Sequence, residues 1–416
     1  MSILIKNVLL NNKSQDIFIK GNLIAKIANE INKKADKIID GKDRAVLPGF
    51  INMHTHAAMV FLRGYADDMP LKEWLEKKIW PAEAKLTEND IYWGIKLACL
   101  EMIKTGTTCF NDMYWFPASS IRAVEEMGLR AFIGLTIIDF DEKGNKEAVE
   151  KQYKILKRRT GDRVVLTIAP HAIYTVKKEN LIWAKKFARK NKLLLHIHVS
   201  ETKKEVDDCI KQYRCRPIQY LEKIRFLGKN VILAHAVWLS DKEIKILAKR
   251  KCSIVYNPVS NMKLAVGEAF SYNKLRDAGV NVTIGTDGPS SNNNLDMIEE
   301  IKFAALLQKH ESGDPTLLSA KEVLYCATQN AVRALGLKAG VIKEGYLADL
   351  ILIRLNRPEM MPTYHLSSDI VYSACSCCVD SVICDGKILM QNRKLSKHIN
   401  EKEILNKIKI ISKKFI

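Results

Sequence analysis

Between about residue 46 and residue 286, short apolar runs alternate with helical patterns, and the alternation occurs eight times. The first run, Ala45-Val46-Leu47-Pro48-Gly49-Phe50-Ile51, reads as one buried strand. Seven more strand candidates follow at 107–111, 129–136, 164–169, 193–198, 231–235, 253–257 and 282–286. Thr87, with Asp90 three residues on, reads as the N-cap of a helix that Gly106 ends. Strands joined by helical crossovers pair in parallel, because each helix returns the chain to the same end of the sheet. Eight such units suit a (β/α)8 barrel of the α/β class.

The two chain ends read differently. Residues 1–45 hold short strands and turns, at 3–10, 15–19 and 23–28, with no helix between them. After Leu335-Gly336 the chain returns to β, with the run Ala348-Asp349-Leu350-Ile351-Leu352-Ile353 and a hairpin through Asp385-Gly386. Both ends flank the barrel, so they are expected to pair into one small composite β-sandwich domain. The expected division is 1–45 for the N-terminal part of the sandwich, 46–338 for the barrel and 339–416 for the C-terminal part. Residues 401–416 form a basic amphipathic helix that should pack on the body rather than on a membrane.

A net charge of +19 raises the question of nucleic acid. The lysines alternate with acids, as in Lys72-Glu73-Trp74-Leu75-Glu76-Lys77-Lys78, and no recognition module accompanies them. A solvated lysine-rich surface is expected, with neither a nucleic-acid nor a membrane partner. The first ten residues lack a signal-peptide pattern and no apolar run spans a bilayer, so a soluble, cytoplasmic protein is expected. The ten cysteines show no framework spacing and are expected as reduced thiols. Cys375, Cys377 and Cys378 are clustered without the paired C-x2-C spacing usual in zinc sites.

A barrel places its reactive residues at the C-terminal ends of its strands. His54 and His56 stand there, two residues apart and therefore on one strand face. His171, His196, His198 and His235 also end strand candidates, as does Asp287. Six of the nine histidines thus fall on one rim, where chance would scatter them over helices as well. His54, His56, His198 and Asp287 offer three nitrogens and one oxygen, a set that suits zinc or ferrous iron with a position left for water. His196 shares a strand face with His198 and is an alternative ligand. His235 is either a ligand or a group that polarises the attacking water.

The ordered motifs Pro48-Gly49-Phe50-Ile51-Asn52-Met53-His54-Thr55-His56, His196-Ile197-His198-Val199-Ser200-Glu201-Thr202, Leu233-Ala234-His235 and Gly285-Thr286-Asp287-Gly288 resemble those of the amidohydrolase superfamily. Within it the chain is similar to the 5′-methylthioadenosine and S-adenosylhomocysteine deaminases, and among these to the 5′-deoxyadenosine deaminases of methanogens. The stretch Gly64-Tyr65-Ala66-Asp67-Asp68-Met69-Pro70-Leu71-Lys72-Glu73-Trp74-Leu75 supports the likeness, with Trp80-Pro81-Ala82-Glu83 behind it. The resemblance implies hydrolytic deamination of an adenosine-type nucleoside by a homo-oligomer, a tetramer being expected. Binuclear members carry a carboxylated lysine on the fourth strand. Here that strand ends Thr167-Ile168-Ala169-Pro170-His171, so one divalent metal per subunit is expected, zinc before iron. The same absence counts against a cyclic-amide hydrolase, and the retained ligands count against a catalytically silent structural homologue.

Roles follow from this assignment. Glu201, near the metal and free of it, is placed to protonate N1 of the adenine, with Ser200 available to cap the next helix in its stead. His235 and Asp287 serve the attacking water. By resemblance Glu83 accepts bonds from the ribose hydroxyls and His171 touches the adenine or ribose. Trp74 lies on a long insert that could cover the nucleoside. Relatives that favour S-adenosylhomocysteine carry an arginine on the third strand, and Leu135 aligns there while Arg130 lies at the strand's far end. An apolar pocket without a cation disfavours a carboxylate, so a small apolar 5′ group is expected, with 5′-deoxyadenosine the best substrate.

Overall fold

The run from Ala45 to Ile51 is two strands in two sheets, and the chain changes sheet at Gly49. The computed structural model describes residues 1–141 and 144–415. Arg44–Pro48 pairs antiparallel with Leu350–Arg354, in the sheet built from the chain ends. Phe50–Thr55 is the first barrel strand and runs parallel to Thr107–Tyr114. The expected single strand is therefore broken. A side chain at Gly49 would meet the Thr108 side chain at 2.2 Å, so only glycine allows the crossing.

The other barrel strands are Arg130–Ile137, Val164–Pro170, Leu195–Val199, Val231–His235, Ser253–Tyr256 and Asn281–Ile284. They follow one another around the barrel in chain order. Their residues are almost all buried, as expected of parallel strands covered by helices. At the seam between first and last strands one side chain makes two bonds. Asn52 donates from Nδ2 to Thr286 Oγ1 (2.7 Å) and accepts from the Thr286 amide (3.0 Å). Just beyond, the Asp287 amide donates to the His54 carbonyl at 2.9 Å. A Cβ at Gly285 would lie 2.7 Å from the His54 nitrogen, so the close approach needs glycine.

Helix Glu88–Thr105 begins with the expected capping box, in which Thr87 and Asp90 bond reciprocally, and ends at left-handed Gly106. The chain ends meet in one nine-stranded sheet that includes Lys37–Asp40, a strand missed from sequence. Ile3, Ile5, Ile17, Ile19, Leu350 and Leu352 are among the residues of its own core. The terminal helix spans Glu401–Ile411 and continues into a turn, with residue 416 outside the described residues. It packs on the body: Lys414 pairs with Asp90 (2.6 Å), and Phe415 meets the rings of Phe61 and Tyr65. Among the described residues no helix is long and apolar enough to cross a membrane. The expectation that all cysteines are reduced is not met: Cys375 and Cys377 form a disulfide, whereas the other eight are free and buried.

Arg130 joins barrel to sheet. Fully buried, it donates to Asp349 (2.8 Å), Asp385 (3.0 Å) and the Asp162 carbonyl (2.9 Å). The two carboxylates are oriented too, since the Asp385 amide donates to Asp349 at 2.6 Å. Removing the cation would strand buried negative charge. We predict that Arg130→Ala lowers unfolding stability by about 3–5 kcal/mol in chemical denaturation. A loss below about 1 kcal/mol, the scale of a surface ion pair, would show that the contact is dispensable.

Candidate metal centre and active site

Three strands turn off the rim through residues in the left-handed region that are not glycine: Ser200 (φ 51°), His235 (φ 67°) and Asp287 (φ 63°). Such conformations are costly and concentrate where the surroundings impose a geometry. Here they aim Glu201, His235 and Asp287 at the imidazoles of the first and fifth strands.

The imidazoles are held from behind. His56 Nδ1 donates to the Met113 carbonyl at 2.6 Å, and His198 Nδ1 donates to the His171 carbonyl at 2.7 Å. A neutral imidazole with its proton on Nδ1 can only accept at Nε2. The Nε2 atoms of His56 and His198 nevertheless face each other at 3.2 Å. His54 Nε2 is buried without a hydrogen-bond partner and lies 3.2 Å from Asp287 Oδ1, which is also 3.4 Å from His56 Nε2. Burial holds the three histidines below their ordinary pKa, His54 to about 4 and His198 well below 6.5. Near neutral pH they are uncharged, the state that binds metal. Lone pairs converging beside a carboxylate repel one another unless a cation sits between them, so the donor set fits a metal ion.

His54, His198, His235 and Asp287 each offer a ligand atom within 4.8 Å of the others. His56 lies outside that mutual set, yet its Nε2 is close to two of its members. Both carry weight, so five side chains surround one region. His196 stands behind it, with Nε2 at 3.0 Å from His54 Nδ1 and Nδ1 at 3.0 Å from Asn111 Nδ2. Fully buried and engaged at both nitrogens, it backs His54.

Asp287 is clamped. Its Oδ2 accepts from Ser260 Oγ (2.6 Å) and Ser291 Oγ (2.8 Å), leaving Oδ1 toward the histidines. Burial would raise its carboxyl, but the neighbouring imidazoles, His54 first, hold it well below the usual range. His235 Nδ1 is 2.9 Å from Asn261 Oδ1 and 3.8 Å from Glu201. Burial would lower its pKa, but the Glu201 and Asp287 carboxylates outweigh burial and raise it.

Glu201 is buried, and burial pushes its carboxyl up. Its backbone is fixed by Glu205, which accepts from the Ser200 and Glu201 amides at 2.9 Å each. Ser200 does not cap the next helix as expected; Thr202 does, accepting from the Glu205 amide at 3.2 Å. The Glu201 side chain is thereby left to line the cavity.

That cavity holds about 270 Å³, and Trp74, Glu83, Tyr114, His171 and Glu201 are among its walls. It is near the lower end of small-molecule sites, roughly 300 Å³. Trp74 and Glu83 come from one irregular helical insert, Leu71–Trp74, Leu75–Ile79 and Trp80–Glu83. Trp74 is buried, and its indole N–H donates to the Ala66 carbonyl at 2.8 Å. Lys263 on the rim binds Asp67 and Asn293, tying the approach to this insert down. His171 bonds Thr175 (2.9 Å), and burial lowers its pKa to about 3. Burial, then the adjacent Glu83 carboxylate, pushes the Tyr114 phenol up.

One expectation is overturned. Leu135 is fully buried in the layer between barrel and helices, so it does not face the cavity. Its neighbour Thr136 lines the cavity, as the alternation of a strand requires. Sequence reasoning also missed Ser260, Ser291, Asn261, Glu205 and Asn111, which orient the reactive groups from loops and neighbouring strands. The only trace of them was the polar run Pro289-Ser290-Ser291-Asn292 after Asp287.

The serine clamp makes a prediction. The double variant Ser260→Ala/Ser291→Ala frees Asp287 to rotate and should weaken metal binding about 10–100-fold, the usual worth of groups that orient ligands. Competition with a chromophoric chelator measures this, and an unchanged affinity would show that the serines do not set the carboxylate.

Known proteins resemble this chain along nearly its whole length. A 5-methylthioadenosine/S-adenosylhomocysteine deaminase of Archaeoglobus fulgidus is 48% identical over 397 residues, covering 95% of this chain and 94% of the relative. A 5′-deoxyadenosine deaminase of Methanosphaera stadtmanae is 46% identical over 417 residues, covering 98% of each. The crystal structure of an adenosine deaminase from Xanthomonas campestris, with bound zinc, superposes with a TM-score of 0.94 at 32% identity, over 100% of this chain and 98% of that one. The amidohydrolase family model matches residues 45–389, and the chain belongs to that family.

Proposed function

We propose that the chain hydrolyses the 6-amino group of an adenosine-type nucleoside, releasing ammonia and the corresponding inosine analogue. The observation that carries the reading is the pair of imidazole acceptors facing each other beside a clamped carboxylate, with the raised carboxyl of Glu201 on the same cavity. The names of the similar deaminases support it.

On this reading His54, His56, His198 and Asp287 hold one divalent ion in the barrel, zinc before ferrous iron. Such an ion, when bound, lowers the pKa of water from 15.7 to about 7 and makes it a nucleophile at neutral pH. Asp287 accepts a proton from the attacking water. His235, braced by Asn261, orients that water and the charge developing at C6. Glu201, its carboxyl raised by burial, gives a proton to N1 as C6 becomes tetrahedral. The C6–N bond then breaks as Asp287 returns its proton to the leaving amine, releasing ammonia, while the C6 hydroxyl becomes a carbonyl and its proton restores Glu201. Glu83 accepts bonds from the ribose 2′ and 3′ hydroxyls, His171 touches the adenine or ribose, and the Trp74 indole covers the nucleoside. The lysine-free fourth strand continues to weigh against a cyclic-amide hydrolase. On likeness alone the assembly is read as a homo-oligomer, a tetramer first, in the cytoplasm.

The preference for a small apolar 5′ group now rests on residues other than Leu135. Thr136, Ile138, Phe140 and Asp141 are among the residues lining the cavity, and its described walls include no lysine or arginine. A methyl or thiomethyl group gains about 0.8 kcal/mol per buried carbon there, whereas a carboxylate loses hydration.

One experiment tests the reaction and the preference together. Purified wild type and Glu201→Gln are assayed on 5′-deoxyadenosine, 5′-methylthioadenosine and S-adenosylhomocysteine. The expected order of kcat/KM is as written. The variant should retain its metal and lose about 10²–10⁴ in turnover, the worth of a positioned acid–base group. Near-normal turnover with metal present would move N1 protonation to another group. S-adenosylhomocysteine as best substrate would overturn the 5′ argument alone.

A further inference from the structure

A second group of donors lies outside the barrel. Between strands Leu350–Arg354 and Val379–Cys384 the chain makes an excursion with two tight turns, Pro358–Met360 and Ser376–Cys378. The second turn carries Cys375, Cys377 and Cys378, whose sulfurs lie within 4.8 Å of one another. The first brings Glu359, with Oε1 at 4.0 Å from the Cys375 sulfur and 3.9 Å from that of Cys377. Cys375 and Cys378 are 4.0 Å apart, sulfur to sulfur. They also span a C-x2-C interval that Cys377 between them disguises.

Three of these spacings, Cys375 to Cys378 and Glu359 to Cys375 and Cys377, lie near the edges of a coordination tetrahedron, and the Cys375–Cys377 edge opens to that length only when the disulfide is reduced. Zinc–sulfur bonds of about 2.3 Å put two sulfurs roughly 3.8 Å apart, and a carboxylate oxygen about 3.6 Å from each sulfur. The turn is fixed in advance: Arg393 donates to the Ser376 and Val379 carbonyls at 3.1 Å each, and Ser376 bonds Asp296. The Arg357 guanidinium approaches the Cys377 sulfur at 3.4 Å and Glu359 at 3.0 Å. Three thiolates and a carboxylate around a divalent ion retain negative charge, which this arginine faces.

We propose that Cys375, Cys377 and Cys378, with Glu359, form a second metal site for a thiophilic ion of the zinc class, open when the Cys375–Cys377 bond is reduced. A dithiol reductant supplies two electrons and two protons, the S–S bond breaks to two thiols, and the reductant leaves as its own disulfide. Binding the ion then displaces the protons of the three thiols. The ion would staple together the two turns of the excursion, about a site independent of the one in the barrel.

The test uses the full-length His54→Ala protein, reduced with dithiothreitol, freed of it under anaerobic conditions and titrated with cobalt(II). A thiolate-to-cobalt charge-transfer band should appear with a stoichiometry of one per chain, and it should be absent when Cys375→Ser and Cys378→Ser are added. The His/Asp centre has no thiolate and cannot give this band. In otherwise wild-type enzyme the two serine substitutions should leave deamination unchanged and lower the zinc content of the reduced protein by one. No band in reduced His54→Ala protein, or a band that survives both serine substitutions, would overturn the site. Reduction that frees two thiols with no metal uptake would leave a disulfide only and likewise overturn it.

Discussion

Two imidazole nitrogens that can only accept hydrogen bonds stand 3.2 Å apart, each fixed there by a carbonyl that its other nitrogen binds. Neither histidine can turn away without breaking that bond, and neither can be protonated cheaply, because both are buried. A cation resolves the conflict. The surrounding features act to hold that geometry: Asn52 closes the barrel seam behind His54, His196 backs its imidazole, and the Ser260–Ser291 pair presents one Asp287 oxygen.

The same logic separates the roles of the carboxylates. Asp287 stays well below the usual carboxylate range although it is buried, whereas burial raises Glu201. Two carboxyl groups whose environments push them apart are suited to opposite proton-transfer roles. Glu205 differs again. It lies behind Glu201, accepts from two backbone amides and holds the left-handed turn at Ser200 in place. The reactive side chain can then point into the cavity without making the loop's own hydrogen bonds.

Much of this was legible in the sequence because strand periodicity and barrel topology are stringent. The period of two placed His54 and His56 on one face, and the rule that reactive residues end barrel strands gathered six histidines and Asp287 on one rim. Reading failed where register or tertiary contact decided. Sequence alignment puts Leu135 in the cavity, but a one-residue shift puts Thr136 there and turns Leu135 into the helix layer. The run 45–51 looked continuous because both its halves are apolar; that it serves two sheets depends on the contact between Gly49 and Thr108. Ser260, Ser291 and Asn261 sit in loops, where serine and asparagine ordinarily signal turns. Their bonds to Asp287 and His235 span from 4 to 27 residues of sequence and leave no periodic trace.

The central claim is that the converging imidazoles hold an ion on which deamination depends. Metal content and 5′-deoxyadenosine turnover, measured side by side on the wild type and on His54→Ala, test it most directly. The variant is expected to fold, bind one ion fewer per chain and lose turnover. A variant that loses the ion but still deaminates, or a difference of two ions per chain, would contradict it.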